Sequence, residues 1–245
     1  MKLIKIKGIV ISDTNYSESS KILNILTLEY GKIGVLAKGA RKLKSPLLAV
    51  SSKLTYGYFN IYYKEEGLSI LKEVDVINEF INIKKDLIKI GYACYLLNLA
   101  QQVYKESEEK EIFTILEDAL IKINDGFDPM IITNIVELKC LNFLGVMPVL
   151  DRCAICGNDK DVVTINSDHG GYICKNCYTN EYIVDEKTIK LLRMFNYVNI
   201  KKIKELNILD KNKIEINKFL EGYYDKYTGL YLKSKDFLKQ IKESK

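Results

Sequence analysis

The chain has 245 residues, 47% of them hydrophobic and 28% charged, with a formal net charge of +5. This is a globular balance, long enough for two or three domains and a sizeable core. No apolar run reaches membrane-spanning length and no charged-then-apolar leader opens the chain, so a cytoplasmic protein is expected.

The charge is unevenly placed. Through Lys53 there are ten basic residues against three acidic ones, a balance of +7, and the remainder carries −2. A locally basic domain is the electrostatic footprint of a polyanion binder, although a solvated Lys-rich face has the same composition.

Residues 1–80 read as β-rich. Strands are expected at Ile4 to Ser12, Ser20 to Thr27, Ile33 to Ala37, Leu54 to Tyr63 and Leu68 to Asn78, with a turn at Gly31-Lys32. Five strands in this length suggest a small closed barrel. The OB-fold is the common five-stranded form, and an SH3-like barrel gives the same count. Within the fourth strand, alternation sends Phe59, Ile61 and Tyr63 one way and Tyr56, Tyr58 and Tyr62 the other. One set fills the core and the other is free to stack on bases, and alternation alone does not say which.

Between the third and fourth strands lies Ala37-Lys38-Gly39-Ala40-Arg41-Lys42-Leu43-Lys44-Ser45-Pro46. Four cations fall within seven residues, among small and flexible neighbours. Such a loop can follow a phosphate backbone through Lys38, Arg41, Lys42 and Lys44, with the Ser45 hydroxyl donating to a phosphate oxygen.

From Lys84 the period becomes helical. Ile88, Tyr92, Tyr95, Leu96, Leu99 and Val103 form one stripe, and Ile112, Ile115, Leu116, Ala119, Leu120 and Ile123 a second. Lys105 to Lys110 connects them. Gly126 ends the second helix and Pro129 suits the first turn of a third, which runs to about Leu144 and is apolar nearly all round. Gly145 and Pro148 stop it. Asp185 caps a further helix with Ile189, Leu192 and Phe195 inward, and a last one runs from about Lys213 to Tyr227. A short helical turn is expected from Ser234.

Between these helices stands the most specific motif, Cys153-Ala-Ile-Cys156, seventeen residues, then Cys174-Lys-Asn-Cys177. Two Cys-x2-Cys knuckles can aim four thiolates at one tetrahedral Zn²⁺. Gly157 and Gly170-Gly171 supply the conformational freedom such turns require. Four cysteines close the coordination shell, so the expected role is structural. His169 is not needed as a ligand. Cys94 and Cys140 lie in apolar stretches and read as buried free thiols. No Ser-His-Asp set, phosphate-cradling loop or dinucleotide fingerprint is present, and no enzyme is expected.

Taken in order, several segments resemble the RecO recombination-mediator proteins of bacteria. They are Gly8-Ile9-Val10-Ile11, Tyr16-Ser17-Glu18-Ser19-Ser20-Lys21-Ile22-Leu23 and Leu26-Thr27-Leu28-Glu29-Tyr30-Gly31-Lys32. Ala37 to Lys42 and Phe143-Leu144-Gly145-Val146-Met147-Pro148 continue the series. Both cysteine knuckles and Tyr231-Leu232-Lys233-Ser234-Lys235-Asp236-Phe237-Leu238 complete it. In place of an apolar, Gln-Pro-like segment frequent in the family before the fourth strand, this chain has Val50-Ser51-Ser52-Lys53-Leu54.

The resemblance implies an α+β protein: an N-terminal OB-fold β-barrel, then an α-helical domain with an inserted four-cysteine zinc knuckle. The expected boundaries are 1–80, 81–150, 151–180 for the knuckle, and 181–245. It implies binding of single- and double-stranded DNA and annealing of complementary strands. The implied partners are RecR, the C-terminal tail of single-strand-binding protein and, indirectly, the RecA recombinase, in a cytoplasmic, nucleoid-associated setting. Some relatives lack the cysteines, which fits a structural metal. A zinc-containing RNA- or ribosome-associated OB-fold protein is the competing reading, and a zinc hydrolase is disfavoured by the closed cysteine set and the single histidine.

Overall fold

Alternating apolar residues draw the N-terminal segment into five strands. In this computed structural model, which describes residues 2–232, 234, 235 and 238, they are β1 (Lys2–Tyr16), β2 (Ser20–Thr27), β3 (Gly31–Ala37), β4 (Tyr56–Tyr63) and β5 (Ser69–Asn78). They close into a barrel in the order β1-β2-β3-β5-β4. All pairs are antiparallel except β3 with β5. That single parallel closure is the OB topology and removes the SH3-like alternative. The expected Gly31-Lys32 turn falls three residues earlier, at Leu28-Glu29-Tyr30, and Gly31 opens β3. The barrel core holds Ile6, Val10, Leu23, Ile25, Val35, Phe59, Ile61 and Leu71.

The tyrosines of β4 divide by face. Phe59 and Ile61 are fully buried in the barrel and Tyr63 is half-buried, whereas Tyr58 and Tyr62 are exposed outside. Tyr56 shares the outer face yet is buried. Its ring stacks on Phe80 at 5.7 Å, and its hydroxyl donates to Glu117, which also pairs with Lys7. Burial first, then the bond to Glu117, pushes the Tyr56 phenol up to about 12.

Four helices follow: α1 (Ile81–Lys84), α2 (Leu87–Ser107), α3 (Ile112–Asn124) and α4 (Pro129–Phe143). The Asp86 carboxylate caps α2 by accepting from the amides of Ile88 and Lys89 at 2.8 and 3.1 Å. Asp128 caps α4 in the same way, with Pro129 in its first turn, and both caps satisfy amides that a helix start leaves open. No helix among the described residues is long and apolar enough to cross a membrane.

The chain forms two compact units. The first contains the barrel, helices α1–α3 and the described residues from Leu232 onward, so it continues well past residue 80. Helices α2 and α3 pack against β1. Ser234 is helical, as expected of the tail, and its hydroxyl bonds Asn98 Oδ1 at 3.0 Å, while most of the expected closing turn lies outside the described residues.

The second unit spans Asp125–Tyr231. It contains α4, a three-stranded sheet of β6 (Val149–Cys153), β7 (Val162–Asn166) and β8 (Gly171–Cys174), and helices α5 (Glu186–Tyr197) and α6 (Asp210–Tyr227). A hairpin is the simplest link between two knuckles, and β7–β8 is one; β6 then adds to β8 in parallel. Helix α4 is buried on almost every side, as its all-round apolarity requires. Glu215 on α6 is buried but satisfied: it accepts from Thr188 Oγ1 at 2.5 Å, the Asp185 amide at 3.1 Å and the Tyr182 hydroxyl at 3.1 Å. This fastens α6 to the start of α5.

Gly57 on β4 faces the β5 backbone at close range. A Cβ there would sit 2.5 Å from the Asp75 carbonyl oxygen, a backbone atom that cannot swing aside. Gly57→Ala is expected to cost about 1–3 kcal/mol, as overpacked cores do, read as a lower denaturant midpoint at unchanged slope.

Candidate nucleic-acid interface and candidate metal centre

The segment between β3 and β4 has two jobs. Ala40 and Leu47 turn inward and join the barrel core, with Val50 packed against them. The residues between them must therefore arch outward. Lys38, Arg41, Lys42 and Lys44 are all exposed, Ser45 is half-buried, and Leu43 is 92% exposed.

The arch is ordered by its own hydrogen bonds. Lys42 N donates to Gly39 O at 3.0 Å, Ser45 N to Lys42 O at 2.9 Å and Leu48 N to Ser45 O at 3.1 Å. The Ser45 hydroxyl oxygen accepts from Leu47 N at 3.2 Å, which leaves its proton free to donate outward. The β1–β2 turn holds the arch from the side: Arg41 N donates to Ser19 O at 2.8 Å, and the Arg41 guanidinium donates to Ser17 O at 3.2 Å. Tyr16, at the end of β1, is 49% exposed beside this turn. Reading the segment as small and flexible therefore missed its pinning, which depends on sequence-distant carbonyls.

Four of the five residues expected to contact phosphate, Arg41, Lys42, Lys44 and Ser45, lie in this arch, and Lys38 stands exposed just before it, between the inward Ala37 and Ala40. Among the described residues, Lys38, Lys42 and Lys44 make no ion pair, whereas Lys21 nearby is neutralised by Asp13 at 3.0 Å. Lys5 is likewise engaged outside the barrel, by Asp75 at 2.7 Å and over the Tyr58 ring at 5.1 Å. The arch is thus a cluster of uncompensated cations on a fixed backbone. Sequence reasoning passed over Leu43; its only signal was an apolar residue between two cations in a segment without periodicity.

The second site is built by the ends of β6 and β8. Each contributes one buried cysteine, Cys153 and Cys174, and each is followed by a tight turn that returns a second, Cys156 and Cys177. Gly157 N donates to Cys153 O at 2.9 Å, with Gly157 at φ +77°, and Cys177 N donates to Cys174 O at 3.1 Å. The strands are tied by Ala154 N donating to Tyr172 O at 2.7 Å. All four Sγ atoms lie within 4.8 Å of one another, and those of Cys156 and Cys174 are 3.6 Å apart. Four sulfurs so placed can hold a metal ion. His169 is outside the group; its Nε2 faces Glu181 Oε1 at 3.7 Å.

The thiols conflict when left to themselves. Burial pushes Cys153 up, but backbone hydrogen bonds with Cys156, Cys174 and Ile155 outweigh it and bring Cys153 down to about 6. Cys177 goes up to about 12, chiefly through its hydrogen bond with Cys156, then burial and the nearby Cys174 and Cys153. One thiolate in the group opposes the next, and a divalent cation at the centre reverses that opposition. Away from the cluster, Cys140 is buried as expected and Cys94 only half-buried, and burial pushes both thiols up.

Fold and sites together define an OB-fold protein with a cationic arch on its barrel and a helical unit carrying a four-cysteine cluster. Comparison with known proteins is more specific. Residues 1–80 match the family described as Recombination protein O N terminal, and residues 84–236 match Recombination protein O C terminal. The chain belongs to the RecO family. It is 37% identical over 241 residues to the DNA repair protein RecO of Listeria monocytogenes serotype 4b (strain CLIP80459), covering 97% of this chain and 94% of that one. It is 38% identical over 250 residues to the DNA repair protein RecO of Bacillus pumilus (strain SAFR-032), covering 99% and 96%.

Proposed function

We propose that this protein is a DNA repair and recombination mediator that acts without catalysis in the cytoplasm, at the nucleoid. It binds single- and double-stranded DNA, anneals complementary strands, and helps load the RecA recombinase on strands coated by single-strand-binding protein, together with RecR. The observation that carries this reading is the match to both RecO domains along nearly the whole chain, joined to an arch of unpaired cations on the barrel. Membership in a family whose relatives are named for DNA repair favours DNA over the RNA-associated alternative.

In this reading Lys38, Arg41, Lys42 and Lys44 neutralise phosphates and release their counterions, while the Ser45 hydroxyl donates to a phosphate oxygen. Two strands approach against mutual repulsion. A cationic arch lowers that repulsion and leaves base edges free to pair. The partner protein's acidic, apolar tail docks on the helical domain and brings the coated strand within reach. No nucleotide hydrolysis enters.

The cysteine cluster fits Zn²⁺. Tetrahedral Zn–S bonds of about 2.3 Å put neighbouring sulfurs about 3.8 Å apart, close to the Cys156–Cys174 separation of 3.6 Å. Cys153, Cys156, Cys174 and Cys177 would hold the ion, and when bound it cross-links β6 to β8 as a closed structural site. The domain division that accompanies this reading is a barrel over 1–80 and a helical domain over 81–245 interrupted by the 151–180 knuckle.

Two outcomes test the proposal. Freshly purified reduced protein is expected to carry one zinc per chain, and Cys174→Ser to lose both the metal and thermal stability, because metal-binding free energy is also folding free energy. Full zinc content in that variant would contradict the ligand set. Lys42→Ala/Lys44→Ala removes two unpaired cations without breaking a bond of the fold. It should make the slope of log affinity against log salt shallower by about 0.7 per contact on a single strand, and slow ATP-free annealing of coated complementary oligonucleotides. Unchanged slope and annealing, with circular dichroism intact, would overturn the DNA-binding role of the arch.

A further inference from the structure

A single exposed leucine is ordinary on a protein surface. Leu43 differs in how it is held. Its neighbours Ala40 and Leu47 are sunk in the barrel core, and the backbone between them is fixed by the bonds of Lys42, Ser45 and Arg41 described above. Leu43 is thus presented at 92% exposure on a rigid arch, with Pro46 exposed and Leu48 41% exposed in the same segment. Cations flank it on both sides in sequence, at Lys42 and Lys44, and neither has an ion-pair partner among the described residues. An apolar residue flanked by free cations fits a ligand that offers anionic groups and apolar faces together.

We propose that Leu43 is a base-contacting residue that packs on the unstacked bases of single-stranded DNA and so sets the arch's preference for single strands over duplex. This rests on the reading of the arch as a phosphate contact. The cations see phosphates on either form of DNA and cannot tell them apart. A single strand also exposes base faces, on which an apolar side chain is buried from water. In a duplex those faces are stacked away and the grooves show mostly polar edges. Leu43 therefore contributes on single strands and at frayed ends but not on intact duplex. For annealing this is a useful bias: strands are held before they pair and released after.

Because Leu43 touches little of its own fold, its variants should fold as the parent does. The test compares parent, Leu43→Ser and Leu43→Phe by fluorescence anisotropy on a single-stranded oligonucleotide and on a duplex of equal length, each across a salt titration. Leu43→Ser is expected to lose roughly tenfold in single-strand affinity, to stay within about twofold on duplex, and to keep the parent's salt slope, since an apolar contact releases no counterions. Leu43→Phe should restore single-strand affinity. A 2-aminopurine in the strand should change its fluorescence on binding the parent and less so on binding Leu43→Ser.

Equal loss on both DNA forms, or no loss on either, would overturn the inference. So would vesicles containing anionic lipid capturing the parent but not Leu43→Ser while DNA binding is unchanged, which would assign Leu43 to a membrane surface. Lys42→Ala/Lys44→Ala, run alongside, separates the two levels. A shallower slope there with an indifferent Leu43 sinks only the base contact, whereas an unchanged slope sinks the phosphate reading beneath it.

Discussion

A closed five-stranded barrel must keep water from its core side chains, and the segment between β3 and β4 adds to that core by sending Ala40 and Leu47 into it. Exclusion of water from that core is the constraint on which the functional surface depends. Two inward anchors seven residues apart force the chain between them to bulge outward, and three of the four cations, Arg41, Lys42 and Lys44, are placed there. The β1–β2 turn then fixes the bulge through Ser17 and Ser19 carbonyls. Ordering long basic side chains on a phosphate backbone costs conformational entropy. An arch already ordered by its fold avoids the backbone part of that cost.

The second unit answers a different physical problem. Its three-stranded sheet is small, and β6 meets β8 only through a short parallel pairing with an irregular register. Such a sheet has little apolar area of its own. Four cysteines converging at the strand ends offer a cross-link that burial does not provide, and Cys153 and Cys177 are pushed in opposite directions by their shared surroundings. The remaining strength lies in α4, α5 and α6, where Glu215 and Thr188 make a fully partnered polar contact inside an apolar setting.

Much of this was legible in the residues. A β-forming run bounded by turn residues located β2 to the residue, and the cysteine spacing brought four sulfurs together as expected. Asp185 and Pro129 marked helix starts by their own chemistry. Other features depend on tertiary neighbours and leave no local trace. Tyr56 shares a strand face with Tyr58 and Tyr62, yet Phe80 and Glu117 cover it and leave the others exposed. Helix α1 is four residues long, too short for any periodicity. The choice of OB over SH3-like topology turned on one parallel pairing, Val35 with Ser69, between residues 34 apart in sequence. Leu54, expected to start β4, instead takes φ +68° because its amide must reach Val10 O.

The central claim is that the arch between β3 and β4 is where DNA is held. Lysine acetylation footprinting read by mass spectrometry addresses it directly, since the contacting groups are themselves the reporters. With a saturating single-stranded oligonucleotide, Lys38, Lys42 and Lys44 should lose reactivity together, while the exposed Lys187 and Lys190 of α5 continue to react as in the free protein. Unchanged reactivity at Lys38, Lys42 and Lys44, with protection appearing on another face instead, would contradict the account.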